Sequence, residues 1–201
     1  MIKLYQFPIS GNSHKVRLLL NLLKLPHEVI NVAGAQGEHK SPAFLAMNPF
    51  GQVPVLVDGD VVLRDSQAIL FYLAQRYGQG QWFPADAVLG AQVMGWLSVA
   101  ASEVSRGPGA LRLHYLFGRP LDVPAAEKLS ADLLTVLNQQ LAQADWLVGT
   151  QTSIADLAVY SYIALAPQAR LDLAPYTHVV QWLHRIQALP GYVGMDGMFP
   201  A

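Results

Sequence analysis

The run Asn48-Pro49-Phe50-Gly51-Gln52-Val53-Pro54-Val55-Leu56-Val57 places a proline at the entrance to an apolar, β-branched stretch. Pro54 reads as the first residue of a strand, since it has no N–H for an interior position to donate. A proline in that place is often in a tight, cis arrangement. A cis bond would turn the Val53 N–H and C=O outward, free to pair with an extended peptide as an added strand does. The same residues also suit a simple loop before a strand-opening proline. Downstream, Pro54 to Val57 and Val61 to Leu63 surround Asp58-Gly59-Asp60, which predicts a hairpin with a three-residue turn. A helix follows, capped by Ser66, with Ile69, Leu70 and Leu73 along one side and Gly78 at its end.

Upstream, Ile2 to Phe7 is apolar and aromatic and stops at Pro8, as a buried strand does. Val16, Leu19, Leu20 and Leu23 then form the stripe of an amphipathic helix, with Asn12 or Ser13 as its cap and Leu25-Pro26 as its stop. His27 to Val32 reads as a second strand, parallel to the first because a helix joins them. A polar stretch, Gly34 to Lys40, precedes a short helix over Pro42 to Met47 with Ser41 as its cap. The order is β-α-β-α-β-β-α, a mixed sheet covered by helices.

Composition changes after Gly78. Gly78-Gln79-Gly80-Gln81 and Pro84 have the residues of a linker. Helical patterns alone follow, from Val88 to Val104, Gly109 to Phe117, Ala125 to Ala144, Ser153 to Ala166 and Val179 to Leu189. Gly107-Pro108-Gly109 is expected to break or bend the chain there. The division predicted is an α/β domain over 1–78, a linker over 79–86 and an all-helical domain over 87–201.

Apolar residues make up 52 % of the 201 and charged ones 13 %, ample for a packed core and too apolar for a disordered chain. A formal net charge of −1 offers no basic field to nucleic acid or to anionic lipid. The start reads as a first strand rather than a signal peptide. No uninterrupted apolar run reaches the roughly 20 residues that a membrane span needs. There is no cysteine, which excludes disulfides, thiolate metal sites and a protein thiol as nucleophile. Any thiol chemistry must use a thiol brought by a small molecule.

Four local features carry candidate chemistry. The turn Pro8-Ile9-Ser10-Gly11-Asn12-Ser13 leads from a strand end into a helix start, where unpaired N–H groups and a positive dipole end stabilise an anion such as a thiolate. The step Val53-Pro54 offers backbone to an extended peptide. Asp65-Ser66, at another helix start, suits a carboxylate, and the acid itself suits an ammonium. His39 and Lys40 supply two cationic donors for a second carboxylate. Taken singly, these are ordinary turn, capping and surface residues. Together they describe an extended peptide with an amino-acid head, a terminal carboxylate and a thiol in the middle, which is glutathione.

The run His39-Lys40-Ser41-Pro42-Ala43-Phe44-Leu45-Ala46-Met47-Asn48-Pro49-Phe50-Gly51-Gln52-Val53-Pro54-Val55-Leu56 resembles the phi-class and related bacterial members of the glutathione S-transferase family. The resemblance covers essentially the whole chain. It implies a thioredoxin-like fold for the first domain and an all-helical second domain. It implies that Val53 and Pro54 pair with the cysteinyl part of glutathione, and that Gln52 makes a contact beside them. Asp65 and Ser66 would hold the γ-glutamyl group, and His39 and Lys40 the glycyl end. Many members have Glu where this chain has Asp65. Ser153-Ile154-Ala155-Asp156 is similar to the family's capping box, a folding device rather than a catalytic site.

The family's catalytic residue differs between classes. Cysteine classes are excluded, and the tyrosine position falls on Gln6. Tyr5 is one residue off, so its side chain points to the opposite face of the strand, into the core. The resemblance to serine classes puts Ser10 first and Asn12 second, with Ser13 as a further candidate. Arg106, Arg112, His114 and Tyr115 mark the segment where an electrophile pocket is expected. The implied function is activation of the glutathione thiol, as thiolate, for attack on a small hydrophobic electrophile. It takes glutathione as co-substrate and no metal, in a cytoplasmic homodimer engaged in detoxification. Phe50 is a candidate anchor between domains. A non-catalytic glutathione-binding or protein-interaction module and a glutathione-dependent peroxidase remain as alternatives.

Overall fold

A computed structural model describes residues 1–200. Four strands, β1 (Ile2–Gln6), β2 (His27–Asn31), β3 (Val55–Asp58) and β4 (Val61–Arg64), form one sheet in the order β2-β1-β3-β4. β1 and β2 are parallel, as the intervening helix α1 (Gly11–Leu22) requires, while β3 runs antiparallel to both β1 and β4. Helices α2 (Pro42–Met47) and α3 (Ser66–Tyr77) complete this part, and two 3-10 turns, Gly34–Gln36 and Glu38–Lys40, occupy the polar stretch before α2.

The structure corrects three local readings. Asp58 pairs directly with Val61, so the hairpin turn holds two residues, with Gly59 at φ 60°, rather than three. The cap of α1 is Ser10, not Asn12 or Ser13: its backbone is still extended and its Oγ accepts from the Ser13 N–H at 3.2 Å. The cap of α3 is Asp65, not Ser66, because one carboxylate oxygen reaches the N–H groups of both Gln67 (2.9 Å) and Ala68 (3.0 Å). Ser66 is the first helical residue.

Beyond these come α4 (Ala87–Ala101), α5 (Ala110–Phe117), α6 (Val123–Leu141), α7 (Ile154–Ala164) and α8 (Thr177–Gln187). Gly107-Pro108-Gly109 does not break the chain. A single π turn, Ser105–Gly109, absorbs the N–H that Pro108 lacks, and helical structure continues from Ala87 to Phe117. That 31-residue helix is long and apolar enough, by length and mean composition alone, to cross a membrane, although Gln92, Ser98, Ser102 and Glu103 interrupt its apolar residues.

α7 is the centre of the molecule. Its residues are almost all buried, and it packs against α1, α3 and α4. Leu4, Leu19, Leu70, Val93, Leu157 and Trp182 therefore belong to one continuous core that runs from the sheet into the helical half. On the other face of the sheet, Val32, Phe44 and Val55 form a small cluster under α2, joined by Tyr5 edge-on to Phe44 at 6.4 Å. The entry to α7 is closed by a capping box. Asp156 is fully buried, and its carboxylate accepts from Ser153 N–H (2.9 Å), Leu147 N–H (3.0 Å) and Trp182 Nε1–H (2.9 Å). Burial pushes its pKa up and these donors oppose the shift.

Candidate functional site

One open cleft of about 1220 Å³ lies between the carboxyl end of β1, the loops before β3 and α3, and the α4–α5 helix. Of the residues singled out in the sequence, Ser10, Asn12, His39, Lys40, Gln52, Val53, Pro54, Asp65 and Ser66 all line it, although they lie up to 56 positions apart in the chain.

At the floor, Ser10 is half-buried and caps α1, whose first turn holds no acidic residue. Its Oγ accepts one bond and keeps its own O–H free to donate. Asn12 stands beside it, with its Oδ1 3.5 Å from the Ser66 Oγ. Ser66 Oγ also meets the Gln67 Oε1 more closely, and its single proton serves one of these two amide oxygens at a time. Ser13 does not line the cleft. It is fully buried, and its Oγ has no partner among the described residues.

Along one wall the Val53-Pro54 bond is cis. Among the described residues, neither the N–H nor the C=O of Val53 makes a hydrogen bond, although the residue is half-buried. Asn48 shapes this loop by donating Nδ2–H to the Gln52 carbonyl (2.7 Å) and accepting the Phe50 N–H (3.1 Å). Lys40 directs its ammonium to the carbonyls of Phe50 (2.9 Å) and Gly51 (3.0 Å), which leaves it one further donor. Gly51 must be glycine here. Its φ is +57°, and a Cβ would come within 2.6 Å of the His39 carbonyl. His39 stands edge-on to Phe7 at 5.4 Å, and its buried Nδ1 has no partner among the described residues.

At the opposite end, Asp65 holds φ +71° and ψ 124°, a sparsely populated conformation for a residue with a Cβ. Only one of its carboxylate oxygens is used in capping, so the other is available to a cation.

The helical wall carries residues that sequence reasoning missed. Tyr162, on α7, closes over α1 so tightly that a Cβ on Gly11 would lie 2.9 Å from its ring. Burial pushes the Tyr162 hydroxyl pKa up, and Asn12 backbone and Arg112 oppose the shift. Behind the ring, Lys15 is wholly buried, its ammonium 5.7 Å from the ring centre and without a hydrogen-bond partner. Burial lowers its pKa to about 7, against the pull of Asp65. Arg119 also lines the cleft. A polar-tipped tyrosine inside the greasy run of α7 was the one visible signal, and nothing local connects it to Gly11. Of the four expected electrophile-pocket residues, only Arg112 is in place. Arg106 is exposed elsewhere, His114 bonds to the Arg119 carbonyl (2.8 Å), and Tyr115 stacks under Arg170 at 4.1 Å.

A thioredoxin-like sheet opens its strand ends toward a helical partner, with a free backbone step and two helix starts on one cleft. Comparison with known proteins gives the family. Residues 4–81 match the family model for the glutathione S-transferase N-terminal domain, and residues 117–190 match that for the C-terminal domain. Glutathione S-transferase 3 of Zea mays is 35 % identical, covering 95 % of this chain and 91 % of the maize protein. The Disulfide-bond oxidoreductase YfcG of Escherichia coli is 31 % identical over 94 % of this chain and 92 % of its own. The crystal structure of a glutathione S-transferase from Pseudomonas fluorescens superposes with a TM-score of 0.90 at 34 % identity, covering 97 % of this chain and 98 % of that one. The chain belongs to the glutathione S-transferase family.

Proposed function

We propose that this protein activates the glutathione thiol at the start of α1 and transfers it to an electrophile held against the α4–α5 wall and Tyr162. The observation that carries the reading is the Ser10 cap. A hydroxyl with a free proton stands at an open helix N-terminus, on the floor of a cleft whose wall offers unpaired Val53 backbone. Val53 supports pairing with the cysteinyl backbone, as an added strand would. The free oxygen of Asp65 suits the γ-glutamyl ammonium, and the Ser66 N–H with its hydroxyl suits the carboxylate, since Asp65 already takes the N–H groups of Gln67 and Ala68. His39, the remaining Lys40 donor and Gln52 suit the glycyl end.

With the thiol so placed, Ser10 donates its O–H to sulfur and the dipole of α1 favours the anion. Asn12 is the second donor at this floor. A free thiol has a pKa of about 8.5, and such an environment lowers it by roughly one to two units. Each unit is about 1.4 kcal/mol of preference for the thiolate. The thiolate then attacks, and any proton released goes to solvent.

The test is an ultraviolet titration of the thiolate in the binary complex with glutathione. The bound pKa should fall below the free value in the native protein. In Ser10→Ala it should rise by about one unit, with a comparable roughly tenfold loss of turnover near neutral pH. An unshifted pKa in the native complex would instead mean a glutathione-binding module.

A second reading is favoured by the similarity to the Escherichia coli oxidoreductase. Here the same thiolate reduces a disulfide or a peroxide. Without cysteine in the chain, the thiols must both come from glutathione. Homodimer formation is supported by apolar side chains left exposed on neighbouring elements, with Phe50, Phe71, Val88 and Met94 between 42 % and 66 % open to solvent. The Arg64 guanidinium lies over the Phe50 ring at 4.6 Å, so Phe50 is presented as a fixed knob. Reduced glutathione as co-substrate supports a cytoplasmic place and a role in detoxification.

A further inference from the structure

The acceptor half of the cleft has an unbalanced charge. Asp65 is the only carboxylate among the described residues lining the cleft, and it sits at the glutathione end. The helical wall carries Arg112 and Arg119 and no acid. Arg112 is only 3 % exposed, yet it is in no ion pair; the two in the described residues are Lys128–Asp132 and Arg185–Asp145. Its Nε donates to the Gln168 Oε1 at 2.7 Å, which fixes the plane of the guanidinium, and its two terminal nitrogens make no hydrogen bond among the described residues. A buried cation is costly unless it is paired, and burial here depresses the Arg112 pKa. The fork that remains free has the geometry of a carboxylate, which accepts two parallel N–H bonds.

We propose that the cleft selects electrophiles bearing a carboxylate, which the fork of Arg112 receives, with Arg119 adding charge at the rim. This rests on the glutathione-transferase reading above. The reacting carbon then lies between the sulfur at Ser10 and the anchored carboxylate. With 4-chloro-3-nitrobenzoate, for example, sulfur forms a bond to the ring carbon and chloride leaves with the carbon–chlorine electron pair. The carboxylate is unchanged and serves only to position the ring.

The test compares two synthetic products by calorimetric titration of the full chain: S-(4-carboxy-2-nitrophenyl)glutathione and its neutral 4-carbamoyl analogue. Their glutathione halves are identical, so the ratio of affinities isolates the carboxylate. The anionic conjugate should bind about tenfold tighter, and the ratio should fall toward one in Arg112→Gln. Arg119→Gln, at an exposed position, should reduce the ratio by about two- to threefold, and it is the variant to read if Arg112→Gln does not fold. Equal affinities in the native protein overturn the proposal, as does a ratio that survives Arg112→Gln or, if that variant does not fold, Arg119→Gln. If glutathione binds while the two conjugates are equal, only this proposal fails. If neither glutathione nor the conjugates bind, the transferase reading fails with it.

Discussion

Two helix starts in this molecule begin with the same residue and serve opposite ends. α1 is capped by Ser10 and α7 by Ser153, both in extended backbone with the side-chain oxygen accepting an N–H of the first turn. At α7 the third helical residue is Asp156, whose carboxylate returns a bond to the Ser153 N–H and takes two more from Leu147 and Trp182. At α1 the equivalent residue is Ser13, and the first turn has no acid. One start is therefore sealed by its own sequence and buried in the core. The other keeps its positive end open to a cleft. Capping by serine is common to both; whether the cap is completed by an acid separates a folding device from an anion site.

The sharpest way to break this comparison is to unseal α7. Asp156→Ala strands three buried N–H donors, and it should cost about 3 kcal/mol or more of stability, read as a shift in the denaturant midpoint. A loss below about 1 kcal/mol would mean that water replaces the carboxylate and that the box is not what holds α7.

A smaller effect tests how the two helices are coupled. His14, on α1, has its Nε2–H on the Val193 carbonyl (2.8 Å) and its Nδ1 against the Ser161 hydroxyl of α7 (2.9 Å). Burial, more than any other cause, lowers its pKa from 6.5 to about 4. Protons therefore bind the unfolded chain first. The stability is fully present above pH 6.5, and it is lost as pH falls from there toward 4. Between pH 7 and pH 5 the loss should be on the order of 2 kcal/mol, and it should disappear in His14→Gln. A loss that persists in the variant would place the acid sensitivity elsewhere.

The smallest effect seals α1 in part. Asn12→Asp is isosteric and puts an acid where α1 has none. The helix should gain a few tenths of a kcal/mol, while the pKa of bound glutathione rises by about one unit. A thiolate pKa indifferent to this charge would argue against the open helix start as the source of activation.

Much of this was legible in the residues. The β-α-β-α-β-β-α order, the parallel β1–β2 pair and the helical second half follow from periods of two and 3.6 residues and from proline and glycine stops, all of which act over short range. The candidate residues of the first domain, which the structure gathers along one cleft, were legible as turns and caps because those use few residue types. Local reading failed where neighbours competed for the same role. Ser10, Asn12 and Ser13 are all good caps, and so are Asp65 and Ser66. Which of them takes the place depends on where the chain leaves its strand. Gly107-Pro108-Gly109 reads as a break or a bend, and the choice between them rests on a π turn that the sequence does not reveal.

What the sequence determined by itself, then, is the order of the main elements, the absence of a protein thiol and the turn and cap residues that the first domain brings to the cleft. The helical wall was decided only by tertiary structure. Tyr162 reaches Gly11 across 151 positions, Lys15 is buried behind that ring, and Arg112 faces the cleft while Arg106, six residues earlier, does not. The physical reason is that helix patterns tell a buried face from an exposed one, whereas two helices meeting over a third select which buried polar groups share a site.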